Sequence, residues 1–325
     1  MINIEFKASL FLSSSNKTKA IIYFIKKFIN NKNFNDKYFK LNKETSICLC
    51  TFGKEENKYV KEFIDYYIKF GVDKVIIYDN NDINGECFDI ILNDFINNNT
   101  VEIINCRGQK KIQLKKMNHC YLHNFKKYNW LIFYDIDEFI YLKNYSNIKN
   151  FLNEEKFREC QIITLTSVFH TDNNHIYYEN KSVLERFPNI NKNITNYSYK
   201  SILKGNISGL QIVHAHYLID KKKNKKNITS CNGFGQKIKL ISQAIDIRDY
   251  YINHYSFKST EEFAYKLARG TVSKGYNKKK FISKICNYFS QNLITLEKII
   301  LIEKILRFRL NFIRKKLNGS KISYH

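Results

Sequence analysis

Two carboxylates, Asp135 and Asp137, stand two residues apart at the end of the apolar run Trp130-Leu131-Ile132-Phe133-Tyr134. That run has the β-branched and aromatic content of a strand buried on both faces. If the chain stays extended through the acids, side chains at i and i+2 point the same way, and both carboxylates face one space beyond the strand's carboxyl end. Two like charges there repel unless a cation lies between them. Hard divalent ions such as Mn²⁺ or Mg²⁺ take carboxylate oxygens and keep open positions for substrate phosphates. The chemistry this spacing offers is metal-assisted handling of a nucleotide-linked diphosphate. An isolated Asp-x-Asp also ends many strands in a plain solvated turn, so the surrounding elements have to discriminate.

Those elements alternate. Ser46 to Phe52 reads as a strand, and Glu55 to Phe70 carries a helical stripe of Tyr59, Val60, Phe63, Ile64, Tyr67 and Ile68 that ends at Gly71. Lys74 to Tyr78, Val101 to Asn105 and Gln161 to Val168 read as further strands, Phe88 to Ile96 and Ile112 to Tyr128 as helices. Strands alternating with helices over short loops predict an α/β fold, a mostly parallel sheet with helices on both faces. Ligands bind such sheets beyond the carboxyl ends of the strands. Three loops should then share one crevice: Thr51 to Glu56, Asp79 to Asn84, and Asp135 to Glu138. The first strand is followed by neither a Gly-x-Gly-x-x-Gly turn nor a Gly-rich phosphate loop ending in Lys-Ser/Thr, which argues against a dinucleotide fold and a P-loop NTPase.

The remainder mixes short strands such as Gly209 to His214 with the charged loop Lys221 to Lys226. Phe281 to Leu317 reads as one long amphipathic helical pattern, with Ile285, Phe289, Leu293, Leu296, Ile300 and Leu306 on one side and Arg307, Arg309, Arg314, Lys315 and Lys316 on the other. Such a stripe either covers a core or rests on an anionic membrane surface, where each basic residue near the headgroups adds on the order of 1 kcal/mol. The division that follows is an N-terminal helix (Ala20 to Ile29) and linker over 1–44, an α/β domain over 45–276, and basic C-terminal helices over 277–325.

With 44% hydrophobic and 15% aromatic residues, the 325-residue chain has the means for a substantial core. Its formal charge of +24 attracts anions, whether sugar nucleotides, anionic lipid or nucleic acid. No basic module interleaved with aromatics stands out, so nucleic acid is not an expected partner. The eight cysteines lack paired metal-binding spacing and read as buried free thiols, in keeping with a reducing compartment. Glu5 and Lys7 interrupt any secretory signal, and no stretch approaches the roughly 18 uncharged apolar residues of a membrane span. The expected location is cytoplasmic, or peripheral on the inner face of the membrane.

Several blocks, in order, resemble GT-A glycosyltransferases of family 92, formerly domain of unknown function 23, and its bacterial family 2-like relatives. They are Tyr59 to Tyr67 with Gly71 to Asn80; Gln113 and Met117-Asn118-His119-Cys120 with Trp130 to Ile140; Val183-Leu184-Glu185-Arg186-Phe187 with Tyr199-Lys200-Ser201-Ile202; and Ile252 to Phe263 with Lys266 and Arg269-Gly270. The resemblance implies a GT-A fold and a metal-dependent transferase that moves a sugar, with inversion, from a nucleotide-sugar donor (a UDP-sugar) to a glycan or lipid-linked acceptor. Lys54-Glu55-Glu56-Asn57 departs from the family's Asn-Glu pair, and Val168-Phe169-His170-Thr171 from its aromatic-glycine.

Roles follow from that implied chemistry. Asp137 contacts the metal, and Asp135 reaches it or its water, or the ribose. His254 is the first choice for a third ligand and His214 the second. Lys258, Lys266 and Arg269 close over the diphosphate, unless they are a solvated face with Glu261 and Glu262 as counter-ions. Asp79 contacts uracil or ribose, with Thr51 and Gln113 also on the donor side. Asp172 is the general base and Glu185 its alternative, although pairing with Arg186 or Lys200 makes Glu185 structural. The rival class is a non-catalytic binder of anionic lipid or nucleic acid on the same fold.

Overall fold

The structure, a computed structural model, describes residues 45–191, 197–214, 228–239, 241–269 and 278–319, without the side chains of 241, 278–280 and 309–319. The helix expected at Ala20 to Ile29 and the loop Lys221 to Lys226 lie outside the described residues.

The strands are β1 Ile47–Gly53, β2 Lys74–Asp79, β3 Val101–Asn105, β4 Trp130–Phe133, β5 Glu138–Leu142, β6 Ile162–Phe169, β7 Ser198–Lys204, β8 Ser230–Asn232, β9 Lys237–Ile238 and β10 Tyr250–His254. The α-helices are α1 Asn57–Lys69, α2 Asn93–Asn97, α3 Gln113–Asn124, α4 Ile148–Leu152, α5 Val183–Arg186, α6 Thr260–Arg269, α7 Lys278–Gln291 and α8 Leu296–Gly319. The sheet runs in the order β3-β2-β1-β4-β7-β6-β10-β5, with β8 and β9 added beside β6. β1 is parallel to β2 and β4, β2 to β3, and β6 to β10, while β7 and β5 run antiparallel to their neighbours.

β1 is buried along its whole length, as a central strand with helices on both faces must be. Alternation sends Ile47 and Leu49 to one face, where α1 packs Val60, Phe63, Ile64 and Tyr67. Cys48, Cys50 and Phe52 go to the other, where α3 packs Met117, Cys120 and Tyr121. The α/β architecture expected from the alternating pattern is therefore present, with C-terminal helices attached. Gly53 ends β1 where a Cβ atom would lie 2.3 Å from the Phe88 ring, so only glycine lets that ring pack there.

Some expectations fail locally. Phe88 to Ile96 shortens to Asn93–Asn97, preceded by turns, with Phe88 and Leu92 buried and Ile90 exposed. Gly209 to His214 forms no strand; Ile212 is held by the Asn118 amide of α3 through its backbone N–H (2.9 Å) and carbonyl (2.8 Å). The long C-terminal pattern breaks between α7 and α8, where the Thr295 hydroxyl accepts from Lys298 N–H at 3.3 Å. The break re-phases the stripe: Ile302 and Ile305 join Phe257, Phe263, Leu267 and Tyr288 in a core with α6, whereas Leu293, Leu296 and Ile300 are exposed. Among the described residues no helix is long and apolar enough to cross a membrane.

The expectation of free thiols is corrected at one pair. β6 pairs with β8 in a register that sets Ile163 opposite Cys231, and Cys231 is disulfide-bonded to Cys160 across 71 residues of sequence. The other six cysteines are free, four of them buried. Cysteine content therefore stops favouring a reducing compartment.

Candidate functional site

The acids of the Asp-x-Asp stretch are presented by a turn. β4 stops at Phe133, and Glu138 N–H donates to the Asp135 carbonyl at 3.0 Å, so strand alternation does not aim the two carboxylates. Each meets its own lysine. Lys200 comes from β7, antiparallel beside β4, and puts its ammonium 2.7 Å from Asp135 and 2.9 Å from Glu138. Lys266 of α6 donates to Asp137. Asp135 keeps 36% of its side chain exposed, whereas Lys200, at 2%, and Glu138, at 0%, are interior. The Asp137 carbonyl accepts from Tyr255 N–H at 2.9 Å, which fastens the turn to the end of β10. His254, the last residue of β10, follows from that fastening: its Nε2 lies 3.6 Å from Asp137 Oδ1 and its Nδ1 3.8 Å from Glu138 Oε1.

Burial alone pushes all three carboxyls up, and the neighbouring cations decide the net result. For Asp135 the Lys200 charge and hydrogen bond outweigh burial, so the carboxyl falls below its ordinary range. Lys266 and His254 take Asp137 well below it. Burial wins at Glu138, whose carboxyl is raised despite Lys200. Lys200 is itself raised: burial disfavours its charge, but Asp135 and Glu138 more than restore it.

One helical turn of α6 links this cluster to the loop after β1. Lys266 and Arg269, three apart, share a helix face. Arg269 donates to the carbonyls of Lys54 and Glu55 and to the Glu56 carboxylate. Glu55 N–H donates to Asn81 Oδ1 at 2.7 Å, and Asn81 in turn donates to Asp79 Oδ1 from its backbone (3.0 Å) and its amide (2.8 Å). The loops after β1, β2 and β4 are thus joined into one wall. Beside it lies a cavity of about 340 Å³ lined by Glu55, Glu56, Tyr59, Glu86, Lys258, Lys266 and Arg269, among others. A second, of about 250 Å³, is lined by Phe169, His254, Ser256, Phe257 and Lys266. Lys266 borders both.

The sequence-derived residues divide accordingly. Asp135, Asp137, His254 and Lys266 come together. Lys258 is buried, holds φ +56°, sits 3.9 Å from the centre of the Tyr59 ring and lines the larger cavity; burial lowers its pKa. Arg269 commits its guanidinium to the loop and Glu56 rather than leaving a fork open to a diphosphate. The counter-ions of this helix face are Asp137 and Glu56, because Glu262 is held by Arg186 and Glu261 accepts from Tyr178 N–H. Asp79 is buried and bound to Asn81, with Arg107 Nε 3.5 Å away, so its oxygens serve the loop wall. Thr51 is buried with its hydroxyl unpartnered among the described residues, and Gln113 is half-buried at the start of α3. His214 follows two residues after Ile212, which packs with α3.

Neither carboxylate chosen as base lines either cavity. Asp172 is buried, with Lys298 2.6 Å and the Tyr288 hydroxyl 2.5 Å from Oδ2 and Asn174 N–H on Oδ1, so no oxygen is left for an acceptor. It anchors the C-terminal helices instead. Glu185 is exposed on α5, and neither Arg186 nor Lys200 pairs with it, since those cations are bound to Glu262 and to the acids of the turn.

Among the described residues, no group of three His, Cys, Asp or Glu side chains is assembled closely enough to hold a metal ion. Two donors fit one in kind and spacing. A carboxylate oxygen and an imidazole nitrogen 3.6 Å apart approach the roughly 3 Å between adjacent ligands with bonds of about 2.1 Å. Asp135, the third, is drawn toward Lys200. Sequence reasoning missed Glu138 and Lys200 as site residues. The available signal was a lone lysine inside the apolar strand Tyr199-Lys200-Ser201-Ile202-Leu203, which requires a buried acid.

A glycosyltransferase family 92 protein of Oryza sativa subsp. japonica is 28% identical over 34% of this chain and 18% of its own length. One of Arabidopsis thaliana is 32% identical over 29% of this chain and 16% of its own. The matched stretches thus span less than a fifth of those relatives. Among solved structures, residues 1–349 of S. aureus TarS in complex with UDP-GlcNAc align at a TM-score of 0.35 and 12% identity, over 82% of this chain and 72% of that one. The mannosyltransferase PcManGT from Pyrobaculum calidifontis, in complex with GDP-Man and Mn²⁺, aligns at 0.29 and 9%, over 38% and 36%. The sequence profile of glycosyltransferase family 92 matches residues 43–293, most of the chain and every element around the turn, and the protein belongs to that family.

Proposed function

We propose that the protein is a metal-dependent inverting glycosyltransferase that moves a sugar from a nucleotide-sugar donor, a UDP-sugar, to a glycan or lipid-linked acceptor. The observation that supports this reading is the meeting of Asp137, His254 and Lys266 at the carboxyl ends of the strands, where His254 lines the smaller cavity and Lys266 borders both. Asp137 and His254, with Asp135 beside them, would hold Mn²⁺ or Mg²⁺, and the ion would supply Lewis-acid neutralisation of the departing diphosphate. The chain's own part is positional. Lys258 and Lys266 put positive charge on the wall of the larger cavity, where a diphosphate needs it, and Arg269 holds that wall rigid. Buried Tyr59, under Lys258, keeps water from its charge. Inversion calls for a carboxylate on the acceptor side, and Glu185 is the remaining sequence-derived choice.

The test is Asp137→Ala. It should abolish Mn²⁺-stimulated transfer or hydrolysis of a UDP-sugar while leaving the circular-dichroism spectrum intact; retained turnover would sink the reading. For Glu185→Gln, lost kcat with retained donor binding is the result this assignment requires. The location that goes with the reading is the cytoplasmic face of a membrane, supported by exposed Leu293 between α7 and α8, by exposed Leu296, Ile300 and Phe308 on α8, and by the basic residues that follow them in sequence. Co-sedimentation with anionic but not neutral vesicles checks it.

A further inference from the structure

The smaller cavity, of about 250 Å³, lies where β6 and β10 end, at Phe169 and His254. Lys266 joins it to the larger one. Its ammonium touches the Asp137 carboxylate and donates to the Ser256 carbonyl at 3.1 Å, and the side chain lines both spaces. The two cavities therefore meet at a partner of Asp137. The loop after β1 lines the larger through Glu55 and Glu56, whereas α7 lines the smaller through Asn287.

The lining of the smaller cavity combines two kinds of surface. Phe169 and Phe257 have ring centres 6.4 Å apart at an angle of 33°. Phe257 is held edge-on by Phe263 (5.9 Å) and Tyr288 (5.6 Å), which keeps the aromatic wall in place. Beside it are the Ser256 hydroxyl and the Asn287 amide nitrogen, neither of which has a partner among the described residues. The Gln291 amide donates to Asn287 Oδ1 at 2.6 Å, so the NH₂ end of Asn287 is the one left to bond a ligand.

An aromatic wall with a few polar groups suits a sugar ring. A pyranose has a face of C–H bonds, which the negative face of an aromatic ring attracts, and a rim of hydroxyls that donate and accept. Pockets for drug-sized ligands run to about 300–1,000 Å³, so this smaller space takes one ring and is too short for a long acyl or isoprenoid chain. We propose that the pocket binds the terminal pyranose of the acceptor, with Phe169 against its C–H face and Ser256 and Asn287 bonded to its hydroxyls. This rests on the transferase reading and names the acceptor group that is recognised; the pocket binds and adds no chemical step. α7 then belongs to the acceptor site.

The test uses the full chain with UDP and Mn²⁺, and as probes the methyl glycosides of glucose, galactose, mannose and N-acetylglucosamine. Saturation-transfer NMR should show at least one of them bound through its ring C–H protons. Phe169→Ala should weaken that binding about 10-fold, and Asn287→Ala about 3- to 10-fold, while UDP affinity by titration calorimetry changes less than about twofold. A loss in either folded variant upholds the pocket. Unchanged affinity in both overturns it, as does a wild type that binds none of the glycosides. Displacement of the bound glycoside by octyl phosphate also overturns it, since the aromatic wall would then take a lipid chain. If Phe169→Ala does not fold, Asn287→Ala, at an exposed position of α7, decides alone. The two readings fail separately: UDP-sugar hydrolysis with no glycoside bound rejects only the pocket. A glycoside bound by a protein that neither hydrolyses nor transfers a UDP-sugar upholds the sugar site and rejects the transferase reading.

Discussion

Lys266 sets its ammonium on the carboxylate of Asp137, the acid with the strongest sequence claim to a metal ion. Arg269, one helical turn later, grips the loop after β1. The same turn of α6 therefore neutralises Asp137 and braces the loop after β1, whose Glu55 and Glu56 line the larger cavity.

A lysine and a divalent cation compete for one carboxylate. Lys266→Met should raise the affinity for Mn²⁺ alone several-fold, and should weaken binding of UDP with Mn²⁺ because the wall loses a charge. Titration calorimetry with and without UDP measures both; no change in either would show that Lys266 does not compete at Asp137.

Lys200 is the only cation within ion-pairing distance of the buried Glu138 apart from His254 among the described residues. Removing one partner of a buried pair strands the other charge, so Lys200→Met should cost about 3–5 kcal/mol in urea unfolding. The double variant Lys200→Met/Glu138→Gln should recover part of that, since the stranded anion is gone. An additive double variant would contradict the pairing.

Glu262 is gripped by both Arg186 guanidinium nitrogens (2.7 and 3.0 Å), the Tyr59 hydroxyl (2.6 Å) and Ser259 N–H (3.1 Å). Burial opposes ionisation, but the Arg186, Ser259 and Tyr59 bonds prevail and hold its carboxyl at about 2, against an ordinary 4.5. A carboxyl lower in the folded state stabilises above its unfolded pKa and loses that contribution as pH falls through its folded one. The Tm advantage of wild type over Glu262→Gln should therefore be full above pH 4.5 and shrink toward pH 2. A difference flat across that window would refute the assignment.

Asp172 bonds Lys298 and Tyr288, so its loss should act on stability. Asp172→Asn should lower unfolding free energy by about 2–4 kcal/mol and make the α7–α8 segment the first site of limited proteolysis. A general base would instead lose kcat at unchanged stability, and that outcome would return Asp172 to the catalytic role its sequence context suggested.

The sequence by itself determined the layering. Period-2 and period-3.6 apolar patterns are local consequences of burial, and from β1 to β4 they lead to the observed strands and to helices on both faces of the sheet. It also brought Asp135, Asp137, His254 and Lys266 forward as candidates, because the blocks around them resemble a family. Tertiary structure decided the partners. Whether Asp137 meets Lys266 or Asp172 meets Lys298 depends on contacts across more than a hundred residues, which no local pattern encodes. The turn at Asp135–Glu138 broke the alternation that was to aim both acids together. The cap at Thr295 re-phased the C-terminal stripe, and the register of β8 on β6 joined Cys160 to Cys231. Most telling is Glu138: its place in the turn is sequence, but its burial between Lys200 and His254 exists only once β7 and β10 have docked on either side of it.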